Sequence, residues 1–194
     1  MKICFQNIGI ILIHSFEQNM NEIISLSQRL RLLGYKVETP FSEMKKEINK
    51  TTINEWLKSV EDTFLQLKNT CKDVILIGFS MGGLLSLNLA SKHKVKGIIT
   101  LNTPIFTKEV ISIFKKIPFK VYINIRKLLR KTKKLIPRVH CDILINQAVN
   151  NILFHKSTNY LYKKIPSKTK KKMFYRNDQY EDVLIDLVKY IETV

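Results

Sequence analysis

Residues Asp73 to Phe79 read Asp-Val-Ile-Leu-Ile-Gly-Phe, and Val74, Ile75, Leu76 and Ile77 run on with no polar residue among them. A strand with one wet face alternates apolar and polar side chains, whereas a continuous apolar run needs cover on both faces. Helices lying on both sides of a parallel sheet provide that cover. The rest of the chain agrees. Apolar runs at Ile8 to Ile13, Tyr35 to Thr39, Val95 to Leu101, Ile143 to Gln147 and Lys172 to Tyr175 alternate with helical patterns at Asn21 to Leu33, Ile53 to Leu67 and Leu84 to Ala90. A last helix is expected over Tyr180 to Ile191, with Val183, Leu184, Leu187, Val188 and Ile191 on one face. Gly34 ends the first helix as a left-handed C′ residue. The fold class expected is α/β: a mainly parallel sheet of about six strands with helices on both faces.

At 194 residues the chain fits a single domain, 1–194, around one sizeable core. With 45% hydrophobic and 25% charged residues it is neither wholly disordered, fibrous nor a coiled coil. No apolar run reaches the ~20 residues that cross a bilayer, and Lys2 to Ile13, broken by Gln6 and Asn7, does not read as a signal peptide. A soluble, cytoplasmic protein is expected. Cys4, Cys71 and Cys141 are far apart, with no Cys-x-x-Cys pair, and read as buried fillers; no metal or cofactor is expected.

The formal net charge is +17, and it is unevenly distributed. Residues 108–138 hold eleven Lys or Arg against Glu109 alone, and residues 156–176 hold eight with no acid. Such blocks are either a solvated Lys-rich surface or a field that attracts anionic lipid, an acidic partner or nucleic acid. Weak, salt-sensitive attachment at an anionic inner-membrane surface is one expectation. Specific nucleic-acid binding is not, because no recognition motif or aromatic interleaving accompanies the charge.

Residues 104–139 interrupt the alternation with their own amphipathic, basic helical pattern, in which Ile111, Phe114, Ile117, Val121, Ile125, Leu128 and Leu129 form one apolar side. A short helical cap over a pocket is expected there.

The chemistry centres on Gly78-Phe-Ser80-Met81-Gly82-Gly83, which follows the buried strand and opens a helix. A serine on a sharp strand-to-helix turn needs small neighbours at 78 and 82, and it stands exposed above the sheet as a nucleophile. The helix N-terminus behind it offers the Met81 N–H to a developing oxyanion. Upstream, Leu12-Ile-His14-Ser15-Phe16 ends an early strand, where the Phe16 N–H is the candidate second oxyanion donor and His14 braces the loop.

These segments, together with Asn54-Glu-Trp56, Asn102-Thr-Pro104 and Asp142-Ile-Leu-Ile-Asn-Gln-Ala148, resemble the α/β-hydrolase fold family, within it the small bacterial carboxylesterases related to monoacylglycerol lipases. The resemblance covers nearly the whole chain. It implies hydrolysis of short or medium acyl esters through an acyl-serine intermediate, without metal or organic cofactor. Two departures follow from it. Gln147-Ala-Val-Asn-Asn151 places Asn151 where the family carries the triad Asp, and Phe174-Tyr-Arg-Asn177 runs directly into Asp178 where a His-bearing loop is expected. His93 and His140 are poorly placed to replace that histidine; His155, after the acid-position loop, is the candidate base. Two readings stay open: a weakened ester hydrolase acting through Ser80, and a non-catalytic protein that binds a small acyl ligand, a protein partner or an anionic surface.

Overall fold

The computed structural model describes residues 7–14, 20–40, 52–113, 118–149, 155–176 and 180–193. In chain order the elements are β1 (Ile8–Ile13), α1 (Met20–Leu32), β2 (Lys36–Glu38), α2 (Ile53–Lys68), β3 (Asp73–Phe79), α3 (Met81–Ala90), β4 (Gly97–Leu101), α4 (Thr107–Ile113), α5 (Phe119–Leu135), β5 (Asp142–Ala148), α6 (His155–Lys164), β6 (Lys170–Tyr175) and α7 (Tyr180–Thr193). The six strands make one sheet in the order β2-β1-β3-β4-β5-β6, with every neighbouring pair parallel. This is the expected α/β architecture.

Why the apolar runs are continuous is visible in the core. Side chains of the central strands alternate between two clusters, one on each face of the sheet. Ile11, Ile13, Val74, Leu76, Ile98, Ile143 and Ile145 point to one face, where Trp56, Val60 and Phe64 of α2, Leu84 and Leu87 of α3, Ile125 and Leu128 of α5 and Leu161 of α6 pack. Ile10, Leu12, Ile75, Ile77, Ile99 and Leu144 point to the other, against Ile23, Leu26 and Leu30 of α1 and Val183, Leu184 and Leu187 of α7. In-register pairs such as Ile10 with Ile75 and Ile77 with Ile99 stack these side chains across the sheet.

Local signals set the helix ends. Thr52 caps α2 with its hydroxyl on the Glu55 N–H, and the Glu55 carboxylate returns to the Thr52 N–H at 2.5 Å, a reciprocal capping box. Gly34, at φ 95°, closes α1; its N–H donates to Arg31 O and that of Tyr35 to Leu30 O, satisfying carbonyls the helix leaves free. Cys71 is buried, and burial pushes the Cys141 thiol up to about 12, so neither described cysteine is a ready nucleophile.

Within 104–139, α5 is the crossover helix between β4 and β5. Val121, Ile125, Leu128 and Leu129 are buried in the sheet-facing cluster, and Thr132 receives a 2.6 Å hydrogen bond from Asn88 Nδ2 of α3. The cationic blocks cover the outer side of α5, α6 and the edge strand β6. Lys170 and Lys172 lie over the Tyr162 ring and Lys133 over Phe106, each ammonium on an aromatic face. Exposed lysines on β6 also discourage pairing of that edge with another chain. Among the described residues no helix is long and apolar enough to cross a membrane.

Candidate active site

The strand order reverses at β1, with β2 on one side and β3 on the other. In a parallel sheet such a reversal sends the two following connections to opposite faces and opens a crevice at the carboxyl ends of the strands. Ser80 leaves β3 at that edge and His14 leaves β1. Since Ile13 pairs with Gly78, the two residues emerge one strand apart, and His14 is buried there.

Ser80 has φ 50° and ψ −114°, a conformation that costs a side-chain-bearing residue roughly 1–3 kcal/mol and persists only where its surroundings hold it. Here the Ser80 N–H donates to Leu101 O at 2.7 Å, and the Gly83 N–H donates to Ser80 O at 3.1 Å. Three glycines make room. A Cβ on Gly78 would stand 2.6 Å from the Gly83 backbone, one on Gly82 1.8 Å from Ile13 O, and one on Gly83 1.9 Å from Thr103 Oγ1. Gly78 and Gly82 were legible as elbow residues; the need for Gly83 comes from Thr103, whose approach no local pattern reveals. The turn leaves Ser80 half-buried, and among the described residues its hydroxyl has no hydrogen-bond partner. Met81 opens α3, so its N–H has no intrahelical acceptor.

Beyond Ser80 the carboxyl edge is strapped by Asn102, which follows β4 at φ 49°. Its Oδ1 accepts from the Ala148 N–H at 2.8 Å and from Gln147 Nε2 at 3.0 Å, and its Nδ2 donates to the Tyr175 hydroxyl at 2.8 Å. One side chain thus joins β4, β5 and β6. Burial pushes the Tyr175 phenol up, so it stays protonated at neutral pH and is no proton acceptor for Ser80. Asn102→Ala is expected to lower stability by about 2 kcal/mol, because it leaves the Ala148 N–H without this acceptor, removes one bond from Gln147 Nε2, and puts at positive φ an alanine, which tolerates that backbone less well than asparagine. Asn102→Gly, which loses the bonds but relaxes the backbone, should lose less; urea titrations of both variants separate the two contributions.

A second tie was not anticipated. Glu109, in sequence only the lone acid of a basic block, is buried and accepts from the Ile105 and Phe106 N–H groups at 3.1 Å and from the Ser157 hydroxyl. It anchors the turn after β4 to α6.

His155 opens α6. Its ring packs edge-on to Phe174 of β6, with centroids 4.8 Å apart, and among the described residues its buried Nε2 has no hydrogen-bond partner. Strand β4 separates β3 from β5, so two strand steps, ~10 Å, lie between the points where the chain leaves toward Ser80 and toward His155. No hydrogen bond among the described residues joins the two. His93 is engaged elsewhere, 2.5 Å from Glu61 Oε1 and against the Phe64 ring; that bond, ahead of one from Lys92, holds the Glu61 carboxyl below its usual value. His140 is exposed ahead of β5. Phe16 and Asn151 lie outside the described residues, as does 177–179, where the resemblance places a His-bearing loop. No group of three His, Cys, Asp or Glu among the described residues could hold a metal ion.

Comparison with known proteins gives this arrangement a context. The family profile described as alpha/beta hydrolase fold matches residues 41–138. A thermostable monoacylglycerol lipase from Bacillus sp. (strain H-257) is 30% identical over 103 residues, covering 50% of this chain and 41% of the relative. A carboxylesterase from Bacillus subtilis (strain 168) is 29% identical over 105 residues, covering 52% and 43%. The matched segment is thus less than half the length of either relative. A solved structure described under LipS and LipT, two metagenome-derived lipolytic enzymes, superposes with a TM-score of 0.84 at 18% identity, covering 97% of this chain and 95% of the other.

Proposed function

The chain belongs to the α/β-hydrolase fold family, and from that premise we propose that it is a carboxylesterase-like serine hydrolase of low turnover, with Ser80 as its acyl-accepting group. The observation that carries the reading is the strained Ser80 turn, held by Leu101 and three glycines at the carboxyl end of β3. Strain of this kind is kept where a side chain must be presented. In the proposed reaction Ser80 Oγ attacks the carbonyl carbon of a small acyl ester and gives its proton to a base. The carbonyl oxygen becomes an oxyanion for which the Met81 N–H and, from the family resemblance alone, the Phe16 N–H are the proposed donors. Collapse expels the alcohol with a proton, and water releases the acid from acyl-Ser80 in the same two stages.

Low turnover is proposed because the resemblance puts Asn151, an amide, at the acid position and the sequence carries no histidine where the His-bearing loop is expected. An amide cannot stabilise an imidazolium as a carboxylate does. A hydroxyl is a weak nucleophile until something takes its proton, and the candidate, His155, is turned to Phe174. That last observation also supports a second reading, retention of a small acyl ligand without turnover. Within the proposed single domain, a reduced cap would be formed by the α4 end of 104–139, since α5 is committed to the sheet. Hydrolysis of p-nitrophenyl acetate and butyrate by the native chain and by Ser80→Ala tests the first reading. Slow turnover lost in Ser80→Ala supports it; identical rates for both chains sink it and leave the binding reading.

A further inference from the structure

On the face of the sheet remote from α3, a cavity of about 390 Å³ lies between α1 and α7, lined by Leu26, Leu32, Leu33, Leu184, Ile185 and Val188. Two cations, Arg29 and Lys189, complete its wall. From these residues we infer that the groove is a binding site for one long-chain carboxylate, with its alkyl chain along the leucines and its carboxylate between Arg29 and Lys189.

Four observations carry this. First, the groove is apolar and open where a folded surface ordinarily is not: Leu32 is 87% exposed, and Leu33 and Ile185 are each 43% exposed, side by side on its rim. Second, its volume lies within the ~300–1,000 Å³ of small-molecule sites, and its concavity suits a chain laid along it. Third, among the described residues both charged groups in its wall are cationic, and neither the Arg29 guanidinium nor the Lys189 ammonium has a hydrogen-bond or ion-pair partner, while Asp186 lines a neighbouring hollow that Lys189 also borders. Fourth, a second copy of the chain is a poor occupant, since each carries +17 and would meet Arg29 and Lys189 with like charge.

The location also follows from the fold. Both helices run antiparallel to the strands, so Leu32-Leu33, just before the Gly34 turn into β2, and Lys189, late in α7, sit toward the amino ends of the sheet. Ser80 is at the carboxyl ends. The groove is therefore a second site, independent of the hydrolase reading.

The test uses the full chain and sodium dodecanoate below its micellar concentration, followed calorimetrically. An Arg29→Ala, Lys189→Ala double variant should bind dodecanoate at least ~10-fold more weakly, because the charge-assisted bonds are lost, while keeping the native melting temperature and native ester turnover. A reporter places the ligand: in Ile185→Trp, 11-bromoundecanoate should quench the new tryptophan and spare Trp56, which is buried under the opposite face. Equal affinity of native and double variant, or no quenching at position 185, overturns the proposal. So does dodecanoate-independent dimerisation abolished by the same two substitutions, which would assign the groove to a second copy. Binding only to phosphatidylglycerol vesicles and not to monomeric dodecanoate would assign it to a bilayer and equally overturn it.

Discussion

Gly82→Ala unfolds the protein or lowers its stability by more than ~3 kcal/mol, because the added methyl would sit 1.8 Å from the carbonyl oxygen of Ile13. That contact cannot be relieved by a rotamer change. The obstacle is backbone of β1, held in register with both β2 and β3, so the whole first turn of α3 would have to lift. Lifting it would separate Leu84 and Leu87 from the core cluster they share with α2 and α5. Gly9→Ala provides the contrast. Its Cβ would approach Leu67 Cδ1 at 3.2 Å, a side-chain end that can move, and the loss should stay below about 1.5 kcal/mol. Urea denaturation followed by circular dichroism compares the pair directly. Equal midpoints for the two variants would show that α3 does not lie as close to β1 as the structure has it.

The second large effect concerns rate. Turnover of p-nitrophenyl esters is expected ~10⁴ to ~10⁶-fold below that of an intact triad, the range lost when the acid or the base of such a triad is removed, with only the ~10³ to ~10⁴ over water that oxyanion donors and binding supply remaining. The pattern among variants tells which residue takes the proton. If His155 swings from Phe174 to serve Ser80, His155→Ala abolishes the remaining rate as completely as Ser80→Ala, because members of one proton-transfer unit are strongly non-additive. If the oxyanion donors act alone, His155→Ala changes little. Asn151→Asp raises the rate only in the first case, since a carboxylate has nothing to orient without an imidazole. The geometry, with His155 at the start of α6 and two strand steps from β3, favours the second pattern.

How much of this was legible in the sequence differs from element to element. The continuous run Val74 to Ile77 and the Gly-x-Ser-x-Gly that follows carry β3, the turn and α3 almost to the residue, because burial on both faces and a strained turn each demand particular residue types. Helix α6 was not readable. Its sequence, His-Lys-Ser-Thr-Asn-Tyr-Leu-Tyr-Lys-Lys, buries Ser157 and Thr158 beside Leu161, so its inner face is too polar to show a helical apolar period. Helix α5 was readable as amphipathic but not as to where its apolar face goes; whether Ile125 and Leu128 cover a pocket or a sheet depends on tertiary placement. The same holds for the site. Ser80, Gly78 and Gly82 are local features, whereas the Asn102 strap and the Glu109 anchor join residues 45 to 73 and 48 positions apart, for which one sequence has no signal.

The most direct test of the central claim is reaction of the native chain with a fluorophosphonate probe, followed by peptide mass mapping. The probe forms a stable ester only with a serine that is presented to solvent and can shed its proton, however slowly. The structure predicts slow labelling confined to Ser80 and absent from Ser80→Ala. An unlabelled Ser80 under conditions that modify other serines would contradict it, and would leave the Ser80 turn as an inherited shape without acyl-transfer chemistry.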